Sequence, residues 1–127
     1  MTTPAPYETI DDLRHVYLED SYVLDIVARP GQVRLALDLV LTPDHEAYRP
    51  PEPGEQHCYR RAELVFERVV DLRWRHSGAP PAVDATGEPD LGSIDSLTAA
   101  GGRYRLEGDW GSMEIESAAP AVRLTDR

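Results

Sequence analysis

Between Tyr22 and Leu41 the chain alternates apolar and polar residues with a period of two. Tyr22, Leu24, Ile26 and Ala28 share one parity. Beyond Pro30-Gly31, Val33, Leu35, Leu37, Leu39 and Leu41 alternate with Arg34, Ala36, Asp38 and Val40. That pattern predicts an antiparallel hairpin. With Arg29 opposite Gln32, Ile26 meets Leu35, Leu24 meets Leu37 and Tyr22 meets Leu39 on one buried face. A slip of one residue would set Leu24 against Asp38 and bury a carboxylate. Pro-Gly favours a type II turn, whose twist suits hairpins poorly, so a bulge is expected at the turn.

A second hairpin is predicted from about Gly102 to Ser117 with Asp109-Trp110 as its turn. Leu106 then faces Met113 and Tyr104 faces Ile115, while Arg105 meets Glu114 and Arg103 meets Glu116 on the other face. Within 59–75, Ala62, Leu64, Phe66, Val70, Leu72 and Trp74 share a parity that Arg68 interrupts. This reads as two short strands, or one long strand bent near Glu67 to Val69, with Trp74 in the core; a helix is the competing reading. A last strand is expected over 121–125. Ile10, Leu13 and Val16 fall at helical spacing behind Thr9, which predicts a helix of one or two turns after a loose tail over 1–8, while His15 to Leu18 could equally begin a strand. Two proline- and glycine-rich connections, 42–56 and 77–95, complete an all-β chain with about six or seven antiparallel strands. An antiparallel β-sandwich or a partly open barrel is the expected architecture.

The 127 residues suit one domain, 1–127, and 41% apolar composition supplies its core. Cys58 is the single cysteine, so no internal disulfide forms. No secretory signal or membrane span is visible, and a soluble, cytoplasmic protein is the expectation. Thirteen basic residues, all arginine, stand against 23 acidic ones, a formal charge of −10. That field argues against a nucleic-acid partner and favours a basic protein partner.

The most suggestive chemistry is Asp44-His45-Glu46 with His57 beyond the proline loop. If the loop folds back, two imidazoles and a carboxylate converge on a transition metal or small ligand, as in a hydrolase. The spacing matches no established metal motif. His57-Cys58 neighbours point to opposite faces of a strand, which argues against a thiol nucleophile and for a buried Cys58. The run from Asp84 to Asp95 has oxygen ligands around glycines, but its spacing fails the EF-hand pattern, and turn chemistry explains it. Asp25 and Asp38 share the outer face of the first hairpin, where Arg34 is placed to pair with Asp25 in a solvated charge ladder. Trp110, in a tight turn, reads either as an exposed ring and candidate interface anchor or as a ring laid back over its own hairpin. No catalytic residue and no cofactor are assigned.

The run Tyr17-Leu18-Glu19-Asp20-Ser21-Tyr22-Val23-Leu24-Asp25-Ile26, the leucine-alternating strand after it, and Tyr104-Arg105-Leu106-Glu107-Gly108-Asp109-Trp110-Gly111 resemble the layout of small bacterial β-rich proteins. Some of those are regarded as immunity proteins of toxin systems, so the resemblance implies a small acidic protein that binds a basic toxin domain. From the residues themselves the expected function is a non-catalytic interaction module, acting through self-association (a homo-oligomer) or a basic protein partner. The alternative is a small-molecule or metal-binding protein using Asp44, His45, Glu46 and His57.

Overall fold

The computed structural model describes residues 3–76, 82–83 and 89–125. Its strands, in chain order, are β1 (Ala5–Pro6), β2 (Val16–Arg29), β3 (Gln32–Leu41), β4 (Cys58–Glu67), β5 (Asp71–His76), β6 (Ala82–Val83), β7 (Pro89–Asp90), β8 (Ile94–Ala100), β9 (Arg103–Gly108), β10 (Gly111–Glu116) and β11 (Ala121–Leu124). They form a five-stranded sheet, β1-β8-β9-β10-β5, a four-stranded sheet, β11-β4-β3-β2, and a small β6-β7 ribbon. Every pairing is antiparallel. The two larger sheets make an open sandwich, the first of the two architectures the alternation predicts. Among the described residues no helix is long and apolar enough to cross a membrane.

The core lies where the periodicity puts it. Val33, Leu35, Leu37 and Leu39 of β3, Leu64 and Phe66 of β4, and Leu106 and Met113 of β9 and β10 are each 0% exposed. Burying each such side chain contributes roughly 1.5–3 kcal/mol. The β9–β10 register is the predicted one at every pair from Arg103↔Glu116 to Gly108↔Gly111. Strand β4 ends at Glu67, and Arg68 takes φ 53°, a left-handed conformation that carries the chain across to β5 in the other sheet. The break in parity at Arg68 is therefore a crossover between sheets.

Several expectations are corrected. Ile10, Leu13 and Val16 are all buried, yet Tyr7–Thr9 and Asp11–Leu13 are single 3-10 turns, and Val16 begins β2 as the strand reading of His15 to Leu18 has it. Ala5–Pro6 pair with β8 and Tyr7 is buried, so the chain is tied down well before Glu8. Among the described residues nine strands make the two main sheets, against the six or seven expected, because β1 and β8 carry little alternation. A bulge between Ile94 and Ser96 puts the two buried residues of β8, Ile94 and Leu97, three apart. Trp74 is 39% exposed and Val70 73%, because β5 is an edge strand at the open side of the sandwich.

The opposite side is sewn shut. Val23 donates its N–H to Gly92 O and accepts one from Leu91, both at 2.8 Å, so 91–93 covers part of the free edge of β2. Gly92, at φ +95°, packs so close to Asp109 that a Cβ there would sit 2.4 Å from Asp109 Oδ2. Gly108 lies under the Trp110 indole, where a Cβ would meet Nε1 at 2.5 Å. Trp110 is consequently 4% exposed. Of the two readings of this turn residue, an exposed anchor or a ring laid back over its own hairpin, the structure takes the second, and the indole joins the core.

Candidate functional site

The first hairpin follows its predicted register only from Arg29↔Gln32 to Asp25↔Ala36. Leu24 is then bulged out, so Val23 rather than Leu24 meets Leu37, and Tyr22 meets Asp38. The bulge lies five residues before the turn, not in it. A second irregularity follows, where the pairing passes from Tyr22↔Asp38 to Tyr17↔Val40 with Leu39 alone between them on β3.

Ser21 repairs this larger bulge. It is 0% exposed; its Oγ donates to Tyr17 O at 2.7 Å and accepts the Val40 N–H at 2.9 Å. The serine thereby satisfies a backbone group that the missing ladder would leave unpaired. On the flank, the Tyr7 hydroxyl accepts the Leu18 N–H at 3.2 Å and donates to Glu19 Oε1 at 2.6 Å. Burial and the Glu19 hydrogen bond push the Tyr7 phenol well above its ordinary value, so it stays a donor.

The consequence is an aromatic surface. Tyr17 and Tyr22 have opposite parity and would point to opposite faces of a regular strand. The bulge brings both to the outer face of the four-stranded sheet, 41% and 43% exposed. Tyr17, Val40 and Tyr59 lie in one cross-strand row, and Tyr22, Asp38 and Arg61 in the next. The Tyr22 and Tyr59 rings stack with centroids 6.2 Å apart, and His57 meets Tyr59 edge-on at 5.8 Å. Val40, 2% exposed, floors the group. Charge rims it: Asp20 Oδ2 lies 3.1 Å from His57 Nε2, Asp38 Oδ1 lies 2.6 Å from Arg61 Nε, and Asp25 is exposed on the same face. Burial first, then the neighbouring acidic groups, raise the Tyr59 phenol above its ordinary value, keeping it neutral.

The metal reading needed His57 beside Asp44, His45 and Glu46, but His57 pairs with Asp20 and is not among the residues that line the cleft of the other three. His57 belongs to the tyrosine face. The other three line a cleft with Asp11, Asp12 and His15. In that cleft Asp11 pairs with Arg14, Asp12 accepts the Val122 N–H, and His45 Nδ1 accepts the Ala47 N–H. Among the described residues no three His, Cys, Asp or Glu side chains are placed to hold a metal ion.

Cys58 is buried and free. The charge ladder exists with other partners than predicted: Arg34 pairs with Glu63 at 3.4 Å, and Glu63 also holds Arg123. Of the Asp84–Asp95 run, 84–88 lie outside the described residues. Trp110, being buried, no longer has the exposure that marked it as an anchor.

Sequence reasoning missed the tyrosine face because it assigned Tyr22 inward by parity. The signal was Ser21, a small polar residue in an otherwise strand-forming run, where a bulge can be closed by a side chain. Comparison with family models, with curated proteins and with solved structures yields no match, so the reading of this face rests on its own geometry.

Proposed function

We propose that the chain is a non-catalytic protein-interaction module that docks a basic protein partner on the tyrosine face of the four-stranded sheet. The observation that carries this reading is the pair Tyr17 and Tyr22, delivered to one face by a bulge and left more than two-fifths exposed. Tyrosine supplies a large, stiff contact area, and a guanidinium or ammonium over its ring gains about 0.5–2 kcal/mol. Asp20 and Asp25 stand where such a cation needs a counter-charge. The formal charge of −10 steers a basic surface toward the protein before contact.

The test is binding to an array of arginine- and lysine-rich peptides. Wild type is expected to select basic sequences, with affinity falling as salt rises. The Tyr17→Ala/Tyr22→Ala double variant, folded by circular dichroism, is expected to lose that selection. Equal binding by both proteins would overturn the assignment.

A further inference from the structure

We propose that β5 is a self-complementary edge through which two copies of the chain pair antiparallel, joining their five-stranded sheets into one continuous sheet. Strand β5 ends its sheet, and among the described residues no strand lies on its second edge. The other edges are shorter or covered: β1 caps β8, 91–93 lies on β2, and β11 has four residues. An open six-residue edge is a template for pairing unless charge opposes it.

The two faces of β5 differ in kind. Asp71, Arg73 and Arg75 stand opposite Glu116, Glu114 and Ser112 on the outer face. Leu72 and Trp74 stand opposite Ile115 and Met113 on the inner face, and Val70 precedes them with the same parity. Val70 and Trp74 are two of the four large hydrophobic residues exposed among those described, the others being Tyr17 and Tyr22.

Charge then selects one register. A two-fold axis at Leu72 sets Asp71 against the partner's Arg73 and Val70 against the partner's Trp74, each pair occurring twice. Moving the axis to Arg73 opposes two arginines, and to Trp74 opposes Arg73 with the partner's Arg75. Moving it to Asp71 opposes two carboxylates. A shift that changes parity would set apolar residues against charged ones. At Leu72 the pairs from Val70 to Trp74 are complementary on both faces with no like charges opposed, and Arg75 meets the partner only beyond its strand, at Val69. Two copies at −10 repel at long range, but that repulsion is screened within about 8 Å at physiological ionic strength, so the contact operates there.

Sedimentation equilibrium over a concentration series at physiological salt tests this. Wild type is expected to show a reversible monomer–dimer equilibrium. Asp71→Arg, at a half-exposed site, is expected to weaken the dimer roughly tenfold or more. The swap Asp71→Arg/Arg73→Asp is expected to restore it, because the exchanged charges again face opposite ones across the two-fold axis. Val70→Lys, at a position 73% exposed, is expected to weaken it without harming the fold. A wild-type monomer at every concentration would overturn the proposal, as would a dimer indifferent to both single variants. Failure of the swap to restore pairing would overturn the register.

Discussion

The hairpins β2–β3 and β9–β10 lie in opposite sheets and feed the same core, yet they are built differently. β9–β10 runs six consecutive pairs without interruption, and its turn tryptophan lies back over it. β2–β3 is interrupted twice, at Leu24 and over 18–21, and a buried serine closes the larger gap. The regular hairpin spends its side chains on the core and on cross-strand pairs such as Arg103–Glu116 at 2.8 Å. The irregular one diverts two tyrosines to the outside. Regular pairing serves stability here, and departure from it creates the surface.

The largest effect that sharpens this contrast is at Trp110. If the indole is part of the core, Trp110→Ala should cost about 3–5 kcal/mol in urea unfolding. A solvent-exposed turn residue would cost no more than about 0.5 kcal/mol. Among the described residues the indole N–H is buried without a hydrogen-bond partner. Trp110→Phe should therefore cost far less than the alanine variant, since it removes an unpaired donor along with some volume.

Next in size is Ser21→Ala, which is expected to destabilise by about 1–3 kcal/mol because it leaves the buried Val40 N–H unsatisfied. Amide exchange at Val40 should accelerate in this variant, whereas amides of β9 and β10 should change no more than global stability requires. A neutral Ser21→Ala would mean that the bulge is held by its ends alone.

This contrast also marks how far the sequence could be read. Where one residue opposes one residue, as from Tyr104↔Ile115 to Leu106↔Met113, alternation and charge pairing determine the register together. Where extra residues enter one strand, parity reverses and the same rule assigns Tyr22 to the wrong face. The β8 bulge hides that strand in the same way. Trp110, left by the sequence as either exposed or laid back over its hairpin, stayed open for a different reason. Its burial depends on Gly108 offering a flat surface beneath the indole, a contact within the turn that strand periodicity does not describe. The tyrosine face was accordingly the least legible part of the molecule, since two departures from period two produced it.

Tyr22→Ala tests the surface side of the contrast. The ring is 43% exposed and its described ring contact is the stack on Tyr59, so the cost to stability should be small, about 0.5–1.5 kcal/mol. Binding to basic peptides should fall much more than stability does. A loss of several kcal/mol in folding would place Tyr22 among structural residues and remove it from the docking surface.

The smallest effect is a pH dependence that belongs to the first hairpin alone. His45 follows β3, and Gly102 to Ser117 contains no histidine. Burial lowers the His45 pKa from its ordinary 6.5; Glu46 opposes the shift, while His15 and Arg60 add to it. Protonating Nδ1 would also break its hydrogen bond from the Ala47 N–H. Because the folded state disfavours the charged imidazole, the unfolded chain takes up the proton first. Stability is therefore full above the ordinary value of 6.5 and declines as pH falls through it toward the lower folded value. Glu63, held below its ordinary 4.5 chiefly by its hydrogen bond with Arg123, loses its contribution only in more acidic solution, so the two windows separate. Melting temperature measured across this range should slope downward in wild type and flatten in His45→Gln. Exchange protection should weaken first near Thr42 to Tyr48, while the uninterrupted hairpin stays protected. A slope unchanged in His45→Gln would remove His45 as the source of the acid sensitivity.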